Sequence, residues 1–284
     1  MQKIIVFIGI IGLLSCGKKQ DVEVNFSGGM DAVTEHTINL SYSFSYDDGD
    51  LDEVGVIWAY KTGQTLRDYH ESYYEYVLDS LFIWTANEAT TSFNYQLTNL
   101  KEYTNYFIKP FAIINGKAFY GEEVVVQTLF PSAVAQGPAG GYVIYDDGAG
   151  GGLEVALYDI GEFESGSRWG CEGMNVPGTV DDLGAGQANT TAILTYCTSN
   201  ETGAYSCANY EQNGFSDWYL PSLLELQLMY TELAAKGYGN FKEDIYLSST
   251  QASLYDGKVI NFKDGQQFNN SKWLTTPVRA IRSF

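Results

Sequence analysis

"NGFSDWYLPSLLEL", Asn213 to Leu226, decides how the second half of this chain folds. Asn213-Gly214 is a turn dipeptide. Asp217-Trp218-Tyr219-Leu220 reads as a short extended segment. Ser222, with Glu225 three residues on, forms a capping box, and Pro221 sets the backbone for a helix start. Leu223, Leu226, Met229, Tyr230 and Leu233 then recur at helical spacing, and Gly237 supplies the stop. The stretch is therefore a folding signal. It makes Trp218 a core anchor and gives Asp217 a buried hydrogen-bonding role in preference to ligand contact.

Working outward, "GGYVIYDDGAGGGLEVALYDI" reads as a hairpin with strands Tyr142–Tyr145 and Leu153–Leu157. Its Gly-rich turn is followed by a strand rather than a helix. Asp146 and Asp147 would repel phosphate, so this is no nucleotide cradle. The two aspartates also lack EF-hand spacing. A helix is expected near Gln187 to Tyr196 and a helical turn or two in "GAYSCANYEQ". Downstream, "IYLSST", "GKVINFKDGQQF" and "PVRAIRSF" read as strands, with "KDG" as a hairpin turn and "NNSKWLTT" as a polar loop. Residues 140–284 thus form an α+β unit.

The first half alternates instead. "TINLSYSFSYD" puts Ile38, Leu40, Tyr42, Phe44 and Tyr46 on one face, and "EVGVIWAY" does the same with Val54, Val56, Trp58 and Tyr60. A period of two means half-buried strands. "DDGD" at 47–50 and "NG" at 115–116 are turns between them. About seven short strands make residues 21–128 an all-β sandwich. "LFPSAVAQGPAG" carries two prolines and no charge, which places a linker at 129–139.

Two resemblances sharpen this. "LTNLKEYTNYFIKPFAIINGKAFYGEEVVVQT" resembles the end of a fibronectin type III domain, with Leu100, Thr104 and Tyr106 at the positions around a tyrosine corner. The resemblance implies an immunoglobulin-like sandwich acting as a spacer or protein-contact module. In residues 140–284, "GGYVIYDDG", "WGC", "GAGQANTTAI", "GFSDWYLPSLLEL", "YLSST", "INFKDG" and "VRAIRSF" resemble, in order and spacing, the bacterial collagen-like-adhesin C-terminal domain family. That resemblance implies a C-type-lectin-like fold and ligand binding or adhesion without a known reaction. The Glu-Pro-Asn, Gln-Pro-Asp and Trp-Asn-Asp motifs by which animal C-type lectins chelate calcium are absent from this sequence, so calcium-dependent sugar binding is not implied.

The N-terminus bears on location. "MQKIIVFIGIIGLLSC" has one early Lys3 and an apolar run from Ile4 to Leu14, the layout of a signal peptide and too short for a stable span. Leu13-Leu14-Ser15-Cys16 resembles the bacterial lipoprotein cleavage box. Residues 1–16 are therefore expected to be signal peptide and lipobox, with Cys16 lipidated and the membrane reached through acyl chains. Gly17 after the Cys favours the outer membrane and leaves open whether the protein faces inward or is exposed at the cell surface. The net charge of −19 argues against nucleic acid and anionic lipid surfaces.

Beyond Cys16 there are three cysteines, Cys171, Cys197 and Cys207, which allow one bridge and one leftover. All three pairings remain open, with the weight on Cys171–Cys197. Their spacings match no zinc pattern, and no cofactor is expected. Both histidines, His36 and His70, lie in the first half, so the second cannot build a Ser-His-Asp or Cys-His site.

These readings converge on a non-catalytic cell-envelope lipoprotein whose lectin-like part binds glycan or a surface protein. Loops 251–256 and 266–273 are the expected site, with Tyr255, Gln267, Asn269, Asn270, Lys272 and Trp273 as ligand-binding candidates. An aromatic plane amid amides suits a polar ligand. One alternative is a structural subunit of a surface assembly, using the Tyr69, Tyr73, Tyr74 and Tyr76 segment. Another is a glycan hydrolase using paired carboxylates from Asp146, Asp147, Asp181 and Asp182.

Overall fold

The computed structural model describes residues 22–60, 82–86, 90–160 and 166–284. Cys16, His70 and the tyrosines at 69, 73, 74 and 76 lie outside these residues.

The first part is a β-sandwich of the fibronectin III/immunoglobulin-like kind. One sheet runs β1 (Val24–Val33), β2 (Ile38–Tyr46), β5 (Ser92–Leu97). The other runs β4 (Phe82–Thr85), β3 (Leu51–Tyr60), β6 (Asn105–Ile114), β7 (Lys117–Tyr120), with β8 (Val124–Gln127) also on β6. Alternation decides which side chains meet between the sheets. Ile38, Leu40, Tyr42 and Phe44 of β2 are buried against Val54, Val56, Tyr106, Ile108 and Ala112 of the facing sheet. The β6–β7 hairpin turns on Asn115 and Gly116, both at positive φ (50° and 72°). That geometry is what an Asn-Gly pair supplies without strain. At the opposite end Tyr106 is buried, and its hydroxyl accepts the Lys101 N–H at 2.7 Å.

Residues 129–139, expected as a linker, are docked along both neighbours. The Leu129 N–H donates to Thr34 O (3.0 Å) and the Val143 N–H to Ala135 O (3.0 Å). Phe130 stacks on Tyr142 with ring centroids 5.0 Å apart.

The second part mixes helices and antiparallel strands. β9 (Tyr142–Asp146), β10 (Gly152–Val155) and β14 (Ile281–Ser283) form one sheet, with β10 in the middle. β11 (Ile245–Gln251), β12 (Asp256–Asn261) and β13 (Gln267–Ser271) form another, with β13 on its edge. The helices are α1 (Gly186–Tyr196), α2 (Gly203–Ala208) and α3 (Leu223–Glu232). At the start of α3, Ser222 and Glu225 make both bonds of the capping box: the Ser222 hydroxyl accepts the Glu225 N–H (3.3 Å), and the Glu225 carboxylate accepts the Ser222 N–H (2.7 Å). After α3 a 3-10 turn at Ala234–Lys236 ends on Gly237 at φ 83°. Leu223, Leu226, Met229 and Leu233 pack with Tyr246, Ile260 and Ile281. Trp218 is buried in a second cluster with Trp169, Ile193 and Val278.

The two parts share a polar joint. Glu102, 1% exposed, accepts the Gly239 N–H at Oε1, and its carbonyl accepts the Asn240 side-chain amide at 2.8 Å. The Tyr158 hydroxyl donates to Tyr103 O at 3.0 Å.

Candidate ligand-binding face

The 252–255 loop is shaped by one serine. The Ser253 hydroxyl donates to Asp256 Oδ2 (2.8 Å) and accepts the N–H groups of Tyr255 and Asp256, each at 3.0 Å. This tight local bonding leaves the adjacent apolar side chains outside: Leu254 is 44% exposed and Tyr255 59%. Across the hairpin the chain leaves β13 through a turn in which Ser271 accepts the Trp273 N–H at its hydroxyl (3.3 Å) and the Leu274 N–H at its carbonyl (3.1 Å). Trp273 is 59% exposed.

Two consecutive residues from each of two distant segments then interlock. The Arg168 guanidinium lies 4.1 Å from the centre of the Trp273 ring, and the Lys272 ammonium lies 4.3 Å from the centre of the Trp169 ring. Arg168 is also held by Glu201 at 2.8 Å. Trp169 is buried flat against Gly257, where any Cβ would sit 2.4 Å from its ring. The segment that carries Arg168 and Trp169 continues into the disulfide Cys171–Cys197, which ties it to the end of α1. Of the three pairings open in the sequence, this one leaves Cys207 as a buried free thiol whose pKa burial pushes up. Met174, 48% exposed, completes the surface: the Gly173 N–H donates to Leu254 O (2.9 Å), and Met174 O accepts from the Lys272 ammonium (3.1 Å).

The six candidate residues are not brought to one surface. Lys272 is fully buried, so it departs from the expectation of a solvent-facing ligand contact. Its ammonium is spent on Met174 O and Gln251 Oε1 (2.8 Å) and on the Trp169 ring. Burial pushes its pKa down to about 8, with Asp256 opposing. Pairing with β12 sets Gln267 and Asn269 beside Ile260 and Lys258, and Asn270 beside Gly257 on the other face. Gln267 is bonded to Gln227 of α3 at 2.8 Å. Tyr255 and Trp273 remain exposed at the same end of the sheet, where the Lys272 N–H donates to Tyr255 O at 2.9 Å. Met174, Leu254, Leu274 and Arg168 were missed in the sequence. "RW" at 168–169 and "KW" at 272–273 were the available signal, as two cation–aromatic dipeptides.

The other polar candidates have local tasks. Asp217 makes the expected hydrogen bonds but is half exposed rather than buried: it grips Arg282 at 2.7 and 2.9 Å, and that guanidinium holds its carboxyl below the usual range. Arg282 also reaches Glu154 (3.0 Å), which is fully buried and accepts the Gly141 N–H. Arg279, 1% exposed, pairs with Asp159 at 2.7 Å and donates to the carbonyls of Ala156, Leu157 and Gly239. Asp146 and Asp147 accept N–H groups of their own hairpin turn, and Asp181 pairs with Lys258 at 2.6 Å. Asp182 accepts the Ser222 hydroxyl at its carbonyl. The His36 ring lies 3.1 Å from Leu100 O. Among the described residues no group of three or more His, Cys, Asp or Glu is placed to hold a metal, and no helix is long and apolar enough to cross a membrane.

No family model and no curated protein matches the chain. Solved structures with partial similarity include a fibronectin III domain of human collagen XX, 20% identical, covering 36% of this chain and 86% of that one with a TM-score of 0.26. A human fourth fibronectin III domain is 14% identical, covers 45% and 95%, and has a TM-score of 0.30. The sensor domain of the anti-sigma factor RsgI4 in Pseudobacteroides cellulosolvens is 10% identical, covers 40% and 100%, and has a TM-score of 0.29.

Proposed function

We propose that this chain is a non-catalytic cell-envelope lipoprotein, anchored through Cys16 to the outer membrane, with a C-type-lectin-like part that binds a glycan or surface protein. The sandwich holds that part away from the membrane. The observation that carries the reading is the pair of aromatic side chains, Tyr255 and Trp273, left 59% exposed on a framework fixed by a disulfide and two cation–ring contacts. Large rings held rigidly in water lose little entropy on binding and offer both an apolar face and a polar edge.

The test is a glycan array and a pull-down with the full chain and its Trp273→Ala variant. A ligand retained by the parent and lost by a folded variant is the expected result. Equal binding by both places the site elsewhere. Fractionation of Cys16→Ala addresses the anchor separately: release into the soluble fraction is expected, and unchanged membrane partitioning removes the lipoprotein reading.

A further inference from the structure

The charges around the aromatic pair select among ligands. Among the described residues that build the face there are two cations, Arg168 and Lys272, against three carboxylates, Glu172, Glu201 and Asp256. Both cations are already committed. Lys272 is buried and donates inward to Gln251 and Met174. Arg168 is matched by Glu201 and lies against the ring of Trp273. Glu172 is exposed beside the disulfide, next to the Gly173 that lies against the Tyr255 ring. A sulfate, uronate or phosphate group would meet uncompensated carboxylate here and no free cation. The whole chain, at −19, adds to that repulsion.

Resting on the proposal that this face binds a ligand, we infer that the ligand is a neutral polysaccharide whose pyranose rings lie on Trp273 and Tyr255. The C–H face of a sugar ring is weakly positive and complements the negative face of an indole or phenol. Arg168 occupies one side of the Trp273 ring and fixes its plane, which leaves the indole exposed as a platform on a rigid support. Hydroxyls at the ring edge find an amide rather than a charged donor next along the chain from Met174: the exposed Asn175, whose side-chain oxygen is held by the Gln251 amide at 2.7 Å. Binding of this kind needs no metal and little electrostatic attraction, so it withstands salt and chelator. One site of this size binds weakly, and many copies on one surface make the contact effective.

Affinity electrophoresis of the full chain in a polyoxyethylene detergent tests this. The probes are hydroxyethyl cellulose, galactomannan and laminarin as neutral polymers, and alginate, polygalacturonate and dextran sulfate as acidic ones. Retardation by a neutral polymer is expected, unchanged by high salt or chelator. Trp273→Ala should weaken it by about tenfold or more, and Trp273→Phe, which keeps a ring, by less. Retardation only by acidic polymers, relieved by salt, overturns the neutral class; if Trp273→Ala also abolishes it, the face itself stands. Neutral retardation that survives Trp273→Ala overturns the face. No retardation by any polymer overturns the glycan inference and leaves a protein ligand to the pull-down.

Discussion

Arg282 shows how single residues near the C-terminus hold the second part together. Its guanidinium joins the fully buried Glu154 of β10 to the half-exposed Asp217 and lies 4.3 Å from the Phe215 ring. Removing one partner of a buried pair leaves the other charge desolvated and unpaired. Arg282→Met is expected to destabilise the protein by about 3 kcal/mol in denaturant unfolding. A loss under about 1 kcal/mol would mean that Glu154 is satisfied by backbone N–H groups alone. Lys272 is the opposite case, a buried cation without a direct carboxylate bond. Its folded pKa is lowered to about 8 from 10.5, so the unfolded chain binds more protons between those values. The stability it costs is fully recovered above the unfolded value and is progressively lost as pH falls through the window. Stability should therefore rise from pH 8 toward 10 more steeply in the parent than in Lys272→Met. Parallel curves for the two would show that the ammonium is not desolvated. Above about 10 the buried tyrosines, among them Tyr210 pushed up to about 12, reverse the trend, because the unfolded chain then releases their protons first. Neither the burial of Lys272 nor the pairing of Arg282 was legible in the sequence. Each depends on partners drawn from segments 65 to 128 residues away, or, for Lys272, 21 and 98.

Elements were more legible, because their determinants are local. Asn115-Gly116 announces a hairpin by its own conformational freedom, and Ser222 with Glu225 announces the start of α3 within four residues. Ser222→Ala removes the acceptor for the Glu225 N–H and should cost about 1 kcal/mol while leaving ligand binding unchanged. Lost binding at an unchanged melting temperature would mean that this stretch serves a site instead. The polar segment around 267–271 was less legible. "NNS" at 269–271 carries no β-branched residue and reads as the start of a polar loop, yet it continues the strand from Gln267 and pairs with Asp256–Lys258 of β12 on the sheet edge. The hairpin turn on Gly265 and the neighbouring strand supply the order that its own propensity does not. The disulfide works at the same scale. With a sequence separation of 26, Cys171–Cys197 should contribute roughly 3 kcal/mol through the unfolded chain. Reduction is expected to lower the unfolding midpoint and to loosen the segment under Trp273. A midpoint insensitive to reductant would contradict that role.

At the scale of the molecule, alternation gave the sandwich because a period of two is visible residue by residue. The way the parts meet was not visible, since the joint is polar. Glu102 sits under Tyr142 and Gly239 with Glu35 and His36 nearby, and burial raises its pKa while the Gly239 N–H opposes the shift. A carboxyl raised in the folded state contributes most below its unfolded pKa of 4.5 and loses that contribution as pH rises through the folded value. Glu102→Gln, which removes the charge, should flatten the pH dependence of stability above pH 4.5. An unaltered profile would show that the joint does not sense this carboxyl. The joint and the docked 129–139 segment orient the aromatic face relative to the sandwich. The most direct test of that face is hydroxyl-radical footprinting of the full chain with and without the ligand returned by the array. Protection concentrated at Met174, Leu254, Tyr255, Trp273 and Leu274 is the predicted result, with exposed Tyr120 and Ile83 of the sandwich unchanged. Protection at Ile83 or Tyr120, with Trp273 still oxidised at its free rate, would contradict it.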